Sequence, residues 1–256
     1  MYTEEFKLVA GAAAGKANFL KNNFAGYMAL SILAGMFIGF GILISFTIGG
    51  LLDGAPYTKI AMGASFGIAL SLVVMAGAEL FTGNNMVMVI GNINKTATAG
   101  DTAKVWIACY IGNLIGSIIL AALFYGTGLA DGATGEFMAA GALAKMSAPA
   151  WQLFIRGILC NMLVCLAVWC SFRCKNEVAK LIMIFWCLFV FVTCGFEHSI
   201  ANMTLLTESL INPCGQAVSI AGFVKNIAAV TLGNMAGGII FVAFPYYAGA
   251  MKALRK

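Results

Sequence analysis

Six long apolar stretches constrain the fold of this chain more than any other feature of its sequence. They lie near residues 25–51, 60–91, 105–126, 149–172, 179–208 and 222–248. Because a helix needs about 20 mostly apolar residues to cross the hydrocarbon core of a bilayer, each stretch is long enough to span a membrane. Only 10% of the 256 residues are charged, too few to cover a water-soluble domain of this size. The sequence therefore predicts an all-α integral membrane protein with six transmembrane helices.

The remaining segments are too short for a second globular domain, so the chain is predicted to form a single transmembrane domain over residues 1–256. Residues 1–23 mix charged and apolar side chains at helical spacing. This pattern predicts an amphipathic helix at the cytoplasmic membrane surface rather than a signal peptide. Residues 249–256 are predicted to form a cytoplasmic tail.

The distribution of basic residues predicts the orientation. If both termini are cytoplasmic, 11 of the 15 Lys and Arg residues fall in inner segments, as the positive-inside rule requires. This bias accounts for the net charge of +5, and no basic patch with interleaved aromatic residues predicts nucleic-acid binding. The eight Cys residues have no CxxC spacing and no accompanying His cluster, so we expect packing roles and neither a metal nor another cofactor.

Two pairs of matching segments predict an internal repeat. Residues 112–119 match residues 233–240 at Gly, Asn, Gly, Ile and Ile. Glu and Asn stand five residues apart in the second stretch, at 79 and 84, and again in the fifth, at 197 and 202. Both matches have nearly the same offset, about 120 residues. Since three is an odd number, two three-span halves, residues 24–126 and 149–248, must insert with opposite topology as an inverted repeat.

Glu79 and Glu197 mark polar interruptions that predict broken helices in the second and fifth spans. Unwound backbone at membrane depth is tolerated only where it is buried in protein or lines a cavity. The two carboxylates either brace the breaks, by accepting hydrogen bonds from freed N–H groups or a nearby Asn, or contact a substrate. Asn113 and Asn234 are predicted to form hydrogen bonds between helices.

His198 is the single histidine of the chain and lies at the break in the fifth span. A lone histidine is ordinarily a hydrogen-bonded core residue. At a helix break it occupies the repeat position of Leu80, where an imidazole can donate, accept and exchange protons near neutral pH. We therefore treat His198 as a candidate functional residue.

Three segments resemble signatures of the formate/nitrite transporter family: residues 77–84 its second helix, 195–203 its fifth, and 161–169 its fourth. The resemblance extends over about residues 5–248. It implies a homopentamer in the bacterial cytoplasmic (inner) membrane, in which each protomer has an aquaporin-like fold and its own pore. The implied substrates are small monovalent weak-acid anions such as formate, nitrite and hydrosulfide. Residues 80–83 and 142–145 look nearer to the nitrite and hydrosulfide members.

The resemblance also implies site residues. The outer constriction falls on Phe66, Leu70 and Phe191, the inner constriction on Leu80, Phe81 and Val164, the central site on Thr82, His198, Asn161 and Asn202, and anion attraction on Lys145. In this scheme Thr82 and His198 hydrogen-bond the anion between two apolar rings. Either His198 protonates the anion, or the anion crosses briefly wetted rings; the sequence leaves both open.

Other functional classes have less support. An aquaporin-like facilitator would need paired Asn-Pro-Ala signatures, whereas the one Asn-Pro pair is Asn212-Pro213, in a loop. A membrane enzyme would need a nucleophile–base or metal constellation that one His and two Glu do not provide. A proton-coupled secondary transporter of the same anions stays open as an alternative, because His198 could couple their flux to protons.

Overall fold

The computed structural model describes residues 2–254 and the side chains of residues 2–250. This part of the chain is α-helical. The helices are α1 (Thr3–Asn22), α2 (Phe24–Leu51), α3 (Thr58–Ser65), α4 (Ile68–Leu72), α5 (Phe81–Ile93), α6 (Ala99–Gly126), α7 (Ala133–Ser147), α8 (Ala150–Arg173), α9 (Glu177–Thr193), α10 (Ser199–Ile211), α11 (Ile220–Gly238) and α12 (Phe244–Leu254), with π-helical turns at Val73–Gly77 and Ile239–Ala243.

Five helical segments of the described chain are long and apolar enough to cross a membrane. They are Phe24–Leu51, Thr58–Gly77, Ala99–Gly126, Ala150–Arg173 and Ile220–Ala250. The fifth predicted span, near 179–208, is instead divided into α9 with 17 residues and α10 with 13 residues. The prediction of an all-α integral membrane protein is confirmed, while the count of six transmembrane helices stays a prediction.

Local sequence signals set several helix starts. The Asn23 side chain accepts a hydrogen bond from the Gly26 N–H (2.9 Å) and so begins α2. Thr98 and Asp101 form a reciprocal capping box at the start of α6. The Asn176 side chain caps α9, and the Ser219 side chain caps α11. These caps satisfy N–H groups that have no partner within the helix.

Glycines bring two pairs of helices into close contact. A Cβ at Gly116 of α6 would overlap the Ile32 carbonyl of α2, and a Cβ at Gly237 of α11 would overlap the Ile158 carbonyl of α8. Since backbones this close leave no room for a side chain, these positions require glycine. Gly116 and Gly237 are equivalent in the sequence repeat, and so the two crossings are built alike.

The C-terminal segment and one connection differ from the sequence prediction, while helix α1 lies within the predicted amphipathic segment. Helix α1 buries Phe6 and Val9 and packs mainly against α5, so it is docked on the bundle. Helix α7 lies in a segment for which no element was predicted. Helix α12 continues through Leu254, so residues 249–254 of the predicted tail are helical. Residues 1, 255 and 256 lie outside the described part of the chain.

Candidate functional site

Two helix breaks face each other across the bundle and have the same local construction. Gly77 (φ 83°) ends the π-helical turn before α5, and Gly195 (φ 75°) follows α9 before α10. These backbone angles favour glycine because a Cβ there would be strained. The Glu79 N–H donates to the Leu30 carbonyl, and the Glu197 N–H donates to the Arg156 carbonyl, each at 3.3 Å.

Asn113 binds the unwound backbone of the first break. Its Nδ2 donates to the carbonyls of Ser31 (2.7 Å) and Glu79 (2.9 Å), while its Oδ1 accepts from the Phe81 N–H (3.0 Å). Because residues 78–80 are not helical, the Glu79 carbonyl and the Phe81 N–H have no partner in a helical ladder. One amide therefore replaces the missing hydrogen bonds and ties the break to α2 and α6.

Asn234 repeats this arrangement at the second break. Its Nδ2 donates to the carbonyls of Gly157 (2.8 Å) and Glu197 (2.9 Å), and its Oδ1 accepts from the Ser199 N–H (2.9 Å). The side chain is fully buried, as is that of Asn113. The two breaks thus share a hydrogen-bond pattern as well as a sequence pattern.

Each break carboxylate lies between a lysine and the asparagine five residues further on. Lys16 Nζ is 2.7 Å from Glu79 Oε2, and Lys145 Nζ is 2.8 Å from Glu197 Oε1. Asn84 Nδ2 donates to Glu79 (3.1 Å). Asn202 Nδ2 likewise donates to Glu197 (2.6 Å). The two lysines come from α1 and α7, the helices that precede α2 and α8.

His198 and Thr82 are brought together from the two breaks. His198 Nε2 is 3.0 Å from Thr82 Oγ1. The other ring nitrogen, Nδ1, accepts a hydrogen bond from the Ala201 N–H (3.1 Å), so the imidazole also caps α10. A neutral imidazole that accepts at Nδ1 carries its proton at Nε2, and His198 therefore donates to the Thr82 hydroxyl.

Two cavities lie near the breaks, and His198 lines one of them. The first, which we call the Lys16 vestibule, has a volume of about 670 Å³ and is lined by Lys16, Glu79 and Asn84 among others. The second, the Lys145 vestibule, has a volume of about 240 Å³ and is lined by Lys145, Asn202 and His198 among others. Each vestibule is thus lined by the Lys and the Asn of one break, and the Lys16 vestibule also by Glu79.

A narrow apolar neck separates the two vestibules. It encloses a void of about 10 Å³, lined by Ile38, Phe66, Leu70, Leu80, Val164, Leu188, Phe191 and His198. Phe66 and Phe191 pack edge to face with ring centroids 5.3 Å apart, and the Phe191 ring stacks on His198 at 6.0 Å. Phe66, Phe191 and His198 also line the Lys145 vestibule, while Leu70 and Leu80 also line the Lys16 vestibule.

The structure groups the predicted constriction residues differently from the sequence scheme. Leu70, expected beside Phe66, lines the neck together with Leu80 on the side of the Lys16 vestibule. Phe81 lies with Tyr110 at a ring distance of 4.8 Å and lines a separate cavity between α6 and α11. Phe81 and Leu80 are thus adjacent in the chain but line different cavities.

Asn161 lies behind Thr82 among protein groups. Its Nδ2 contacts the Thr82 carbonyl (3.2 Å), Asn85 Oδ1 (3.2 Å) and the Asn234 carbonyl (2.7 Å). The side chain is fully buried. Asn161 thus links α8 to α5 and α11 and holds the backbone that carries Thr82.

Sequence reasoning missed two lysines of the site. Lys16 was assigned to the amphipathic segment, and its pairing with Glu79 joins positions 63 residues apart with no local motif between them. Lys59 lies at the start of α3, is exposed, and lines the Lys145 vestibule. In the described part of the chain, Lys145 is paired with Glu197 whereas Lys59 makes no ion pair. The sequence signal that could have identified Lys59 is its predicted position outside the membrane, next to an apolar span.

Two vestibules that are each lined by a lysine and an asparagine, joined by an apolar neck inside a membrane bundle, are features of a membrane channel or transporter. The family model described as formate/nitrite transporter matches residues 3–248. The chain belongs to the formate/nitrite transporter family, whose members are transporters and channels rather than enzymes. This confirms the resemblance drawn from the sequence motifs.

Relatives match nearly the whole chain. The nitrite transporter NirC of Salmonella typhimurium (strain LT2) is 40% identical over 256 residues, which cover 100% of this chain and 94% of NirC. A solved FNT family ion channel is 39% identical, with a TM-score of 0.92 over 96% of this chain and 99% of that one. A solved pentameric formate channel with formate bound is 30% identical, with a TM-score of 0.78 over 88% of this chain and 97% of that one.

Proposed function

We propose that this protein is a channel for small monovalent weak-acid anions, with nitrite, formate and hydrosulfide as its candidate substrates. The names of the relatives support nitrite and formate. Hydrosulfide shares their single charge and small size, and rests on the sequence motifs alone. Each protomer would conduct through its own neck in a homopentamer, and the pentameric formate channel that this chain resembles supports that assembly.

The proposed topology has six spans in an inverted repeat. The matching construction of the breaks at Glu79 and Glu197, each bound by an Asn and a Lys, supports two equivalent halves. An odd number of spans in each half turns the second half over, and so the two vestibules open on opposite sides of the membrane. The excess of basic residues near the termini assigns the Lys16 vestibule to the cytoplasm and the Lys145 vestibule to the outside, in the cytoplasmic membrane.

The observation that carries the proposal is the His198–Thr82 pair beside an apolar neck between two vestibules. Moving a carboxylate-sized anion into a dry apolar medium costs on the order of 20 kcal/mol. Phe66, Phe191 and Leu80 exclude water from the neck. Because the Nε2–H of His198 donates to the Thr82 oxygen, the hydroxyl proton of Thr82 is left to donate to the anion. Hydrogen bonds to a charged group offset part of this cost.

The hydrogen bonding of His198 favours donation of a hydrogen bond over transfer of a proton. Nδ1 already accepts the Ala201 N–H, so a second ring proton would have to displace that bond at the start of α10. A neutral imidazole that gave up its Nε2 proton would become an anion in an apolar neck. We therefore propose that His198 polarises the Thr82 hydroxyl, that this hydroxyl donates to the solute, and that the solute crosses the neck as an anion.

Reconstitution in planar bilayers tests the proposed class. Unitary current steps carried by nitrite or formate are expected, because a channel conducts without alternating access. Swelling of proteoliposomes in nitrite, formate and hydrosulfide salts would rank the substrates. Flux without unitary steps, and driven by an imposed proton gradient, would instead establish the proton-coupled transporter.

Widening the neck is expected to raise anion flux. Phe191→Val removes the ring that packs on both Phe66 and His198, and flux should rise by about fivefold, the change for about 1 kcal/mol taken from the barrier. Phe185→Val on the same helix is the control, because Phe185 packs on Phe189 in an aromatic cluster away from the neck. Equal flux in wild type and correctly assembled Phe191→Val would remove Phe191 from the path.

Lys59 is expected to attract anions by long-range charge, in addition to the predicted role of Lys145. Lys59→Gln should lower nitrite flux about threefold at low ionic strength and leave it nearly unchanged at high salt, where screening is strong. Lys225→Gln, at an exposed position of α11, is the matched control. Lys145→Gln should lower flux at every salt concentration, because it leaves the buried Glu197 carboxylate without its cation. A Lys59→Gln effect that did not depend on salt would contradict this assignment.

A further inference from the structure

A half-open groove on the outer surface of the bundle is separate from both vestibules. It lies where α1, α2 and α6 meet and has a volume of about 560 Å³. Helices α2 and α6 run parallel here, and the groove is next to the N-terminal ends of both. Since both helices are long enough to cross the membrane, the groove begins at one membrane interface and continues toward the bilayer core.

The lining of the groove changes from charged to apolar along its length. Lys21, at the end of α1, and Lys104, in the second turn of α6, lie at the interfacial end. Met28, Ile107 and Ile111 lie one or two turns further into the spans. This order of a charged end followed by an apolar wall matches the order of parts in a phospholipid.

The charged end of the groove has a net positive charge. Lys21 and Lys104 are both exposed and make no ion pair in the part of the chain that the structure describes. Asp101 lies in the same lining, and its carboxylate accepts hydrogen bonds from the hydroxyl and N–H of Thr98. Two lysines and one aspartate leave one positive charge, which complements an anionic headgroup rather than a zwitterionic one.

We propose that this groove binds an anionic phospholipid. The headgroup phosphate lies between Lys21 and Lys104, and an acyl chain lies against Phe24, Met28 and Ile111. The binding orients α1 against the bundle, because Lys21 belongs to α1 while the acyl chain contacts α2 and α6. The inference rests on the membrane-embedded fold and is independent of which anion the neck conducts.

Native mass spectrometry of the delipidated full-length protein, titrated with phosphatidylglycerol, tests this site. The wild type should bind phosphatidylglycerol more tightly than phosphatidylcholine of the same chain length. Lys21→Gln/Lys104→Gln should bind phosphatidylglycerol about thirtyfold more weakly, because each lysine near the surface contributes about a factor of five. Lys7→Gln/Lys175→Gln removes the same charge from exposed positions outside the groove and should bind like the wild type.

A second variant separates a lipid from a neighbouring protomer as the occupant. Ala108→Phe fills the apolar wall and should weaken binding of both lipids while leaving the number of chains in the oligomer unchanged. Equal phosphatidylglycerol binding by the wild type and Lys21→Gln/Lys104→Gln would overturn the proposal. A change in oligomer size for Ala108→Phe, with no lipid retained by the wild type, would assign the groove to a subunit interface instead.

Discussion

Replacing His198 by Phe is expected to reduce anion flux by about ten- to a hundredfold. The variant removes the Nε2–H donor beside the neck and leaves the Thr82 hydroxyl without its partner at 3.0 Å. The Thr82 hydroxyl is then no longer oriented toward the anion by His198, and each lost hydrogen bond to a charged group costs about 1.5–3 kcal/mol. Nitrite and formate swelling assays on proteoliposomes, with assembly checked by size-exclusion chromatography, measure the loss.

His198→Asn is the companion variant that separates the two roles of the imidazole. Asn is among the preferred N-cap residues, so its Oδ1 can keep the hydrogen bond from the Ala201 N–H that begins α10. It cannot exchange protons near neutral pH. If hydrogen bonding in the neck is sufficient, Asn should keep much of the conductance with a flat pH profile. If proton transfer is required, Asn should behave like Phe.

The unfolding temperature is the control measurement for both variants. His198→Asn should unfold at nearly the wild-type temperature because the cap is kept, whereas His198→Phe loses the cap at a cost of about 1 kcal/mol. Wild-type flux in a correctly assembled His198→Phe protein would contradict the role of His198 in the path.

The breaks could be located from sequence because they interrupt strong patterns. A Glu in an apolar run is costly, and the same Glu–Asn spacing appears twice, at 79 and 197. The Asn–Gly matches likewise pointed to the residues that bind the breaks. Because these signals are local or periodic, they can be recognised in a single sequence.

The remaining features depend on contacts between distant parts of the chain. Lys16 reaches Glu79 because α1 packs on α5, and no short motif encodes that packing. Leu80 and Phe81 are adjacent in the signature, yet only Leu80 lines the neck, because successive residues at a helix start point in different directions. The motif located the segment but did not show which of its side chains face the conduction path. Helix α7 has no sharp apolar periodicity, which left it without a prediction.

Asn234→Leu and Asn113→Leu are expected to destabilise the protein strongly and to a similar extent. Each substitution removes the amide partner of two buried backbone groups at a break. These are the Glu197 carbonyl and Ser199 N–H in one half, and the Glu79 carbonyl and Phe81 N–H in the other, where the weak thiol donor of Cys109 (3.1 Å) still contacts the carbonyl. At about 1–3 kcal/mol for each unpaired group, the loss is about 4 kcal/mol, or about 10 °C in the unfolding temperature.

Thermal unfolding in detergent, followed by intrinsic fluorescence, tests this equivalence of the two breaks. Tyr110→Phe is the control on α6 and α11, because it deletes one hydrogen bond between these helices, at 2.9 Å to Thr231, and leaves the breaks intact. It should lower the unfolding temperature by only a few degrees, since one such bond contributes about 1 kcal/mol. A large loss for Asn234→Leu with almost none for Asn113→Leu would contradict an inverted repeat whose halves depend on the same brace. Equal losses would mean that both unwound segments are stabilised by the same asparagine hydrogen bonds, one segment next to Thr82 and the other at His198.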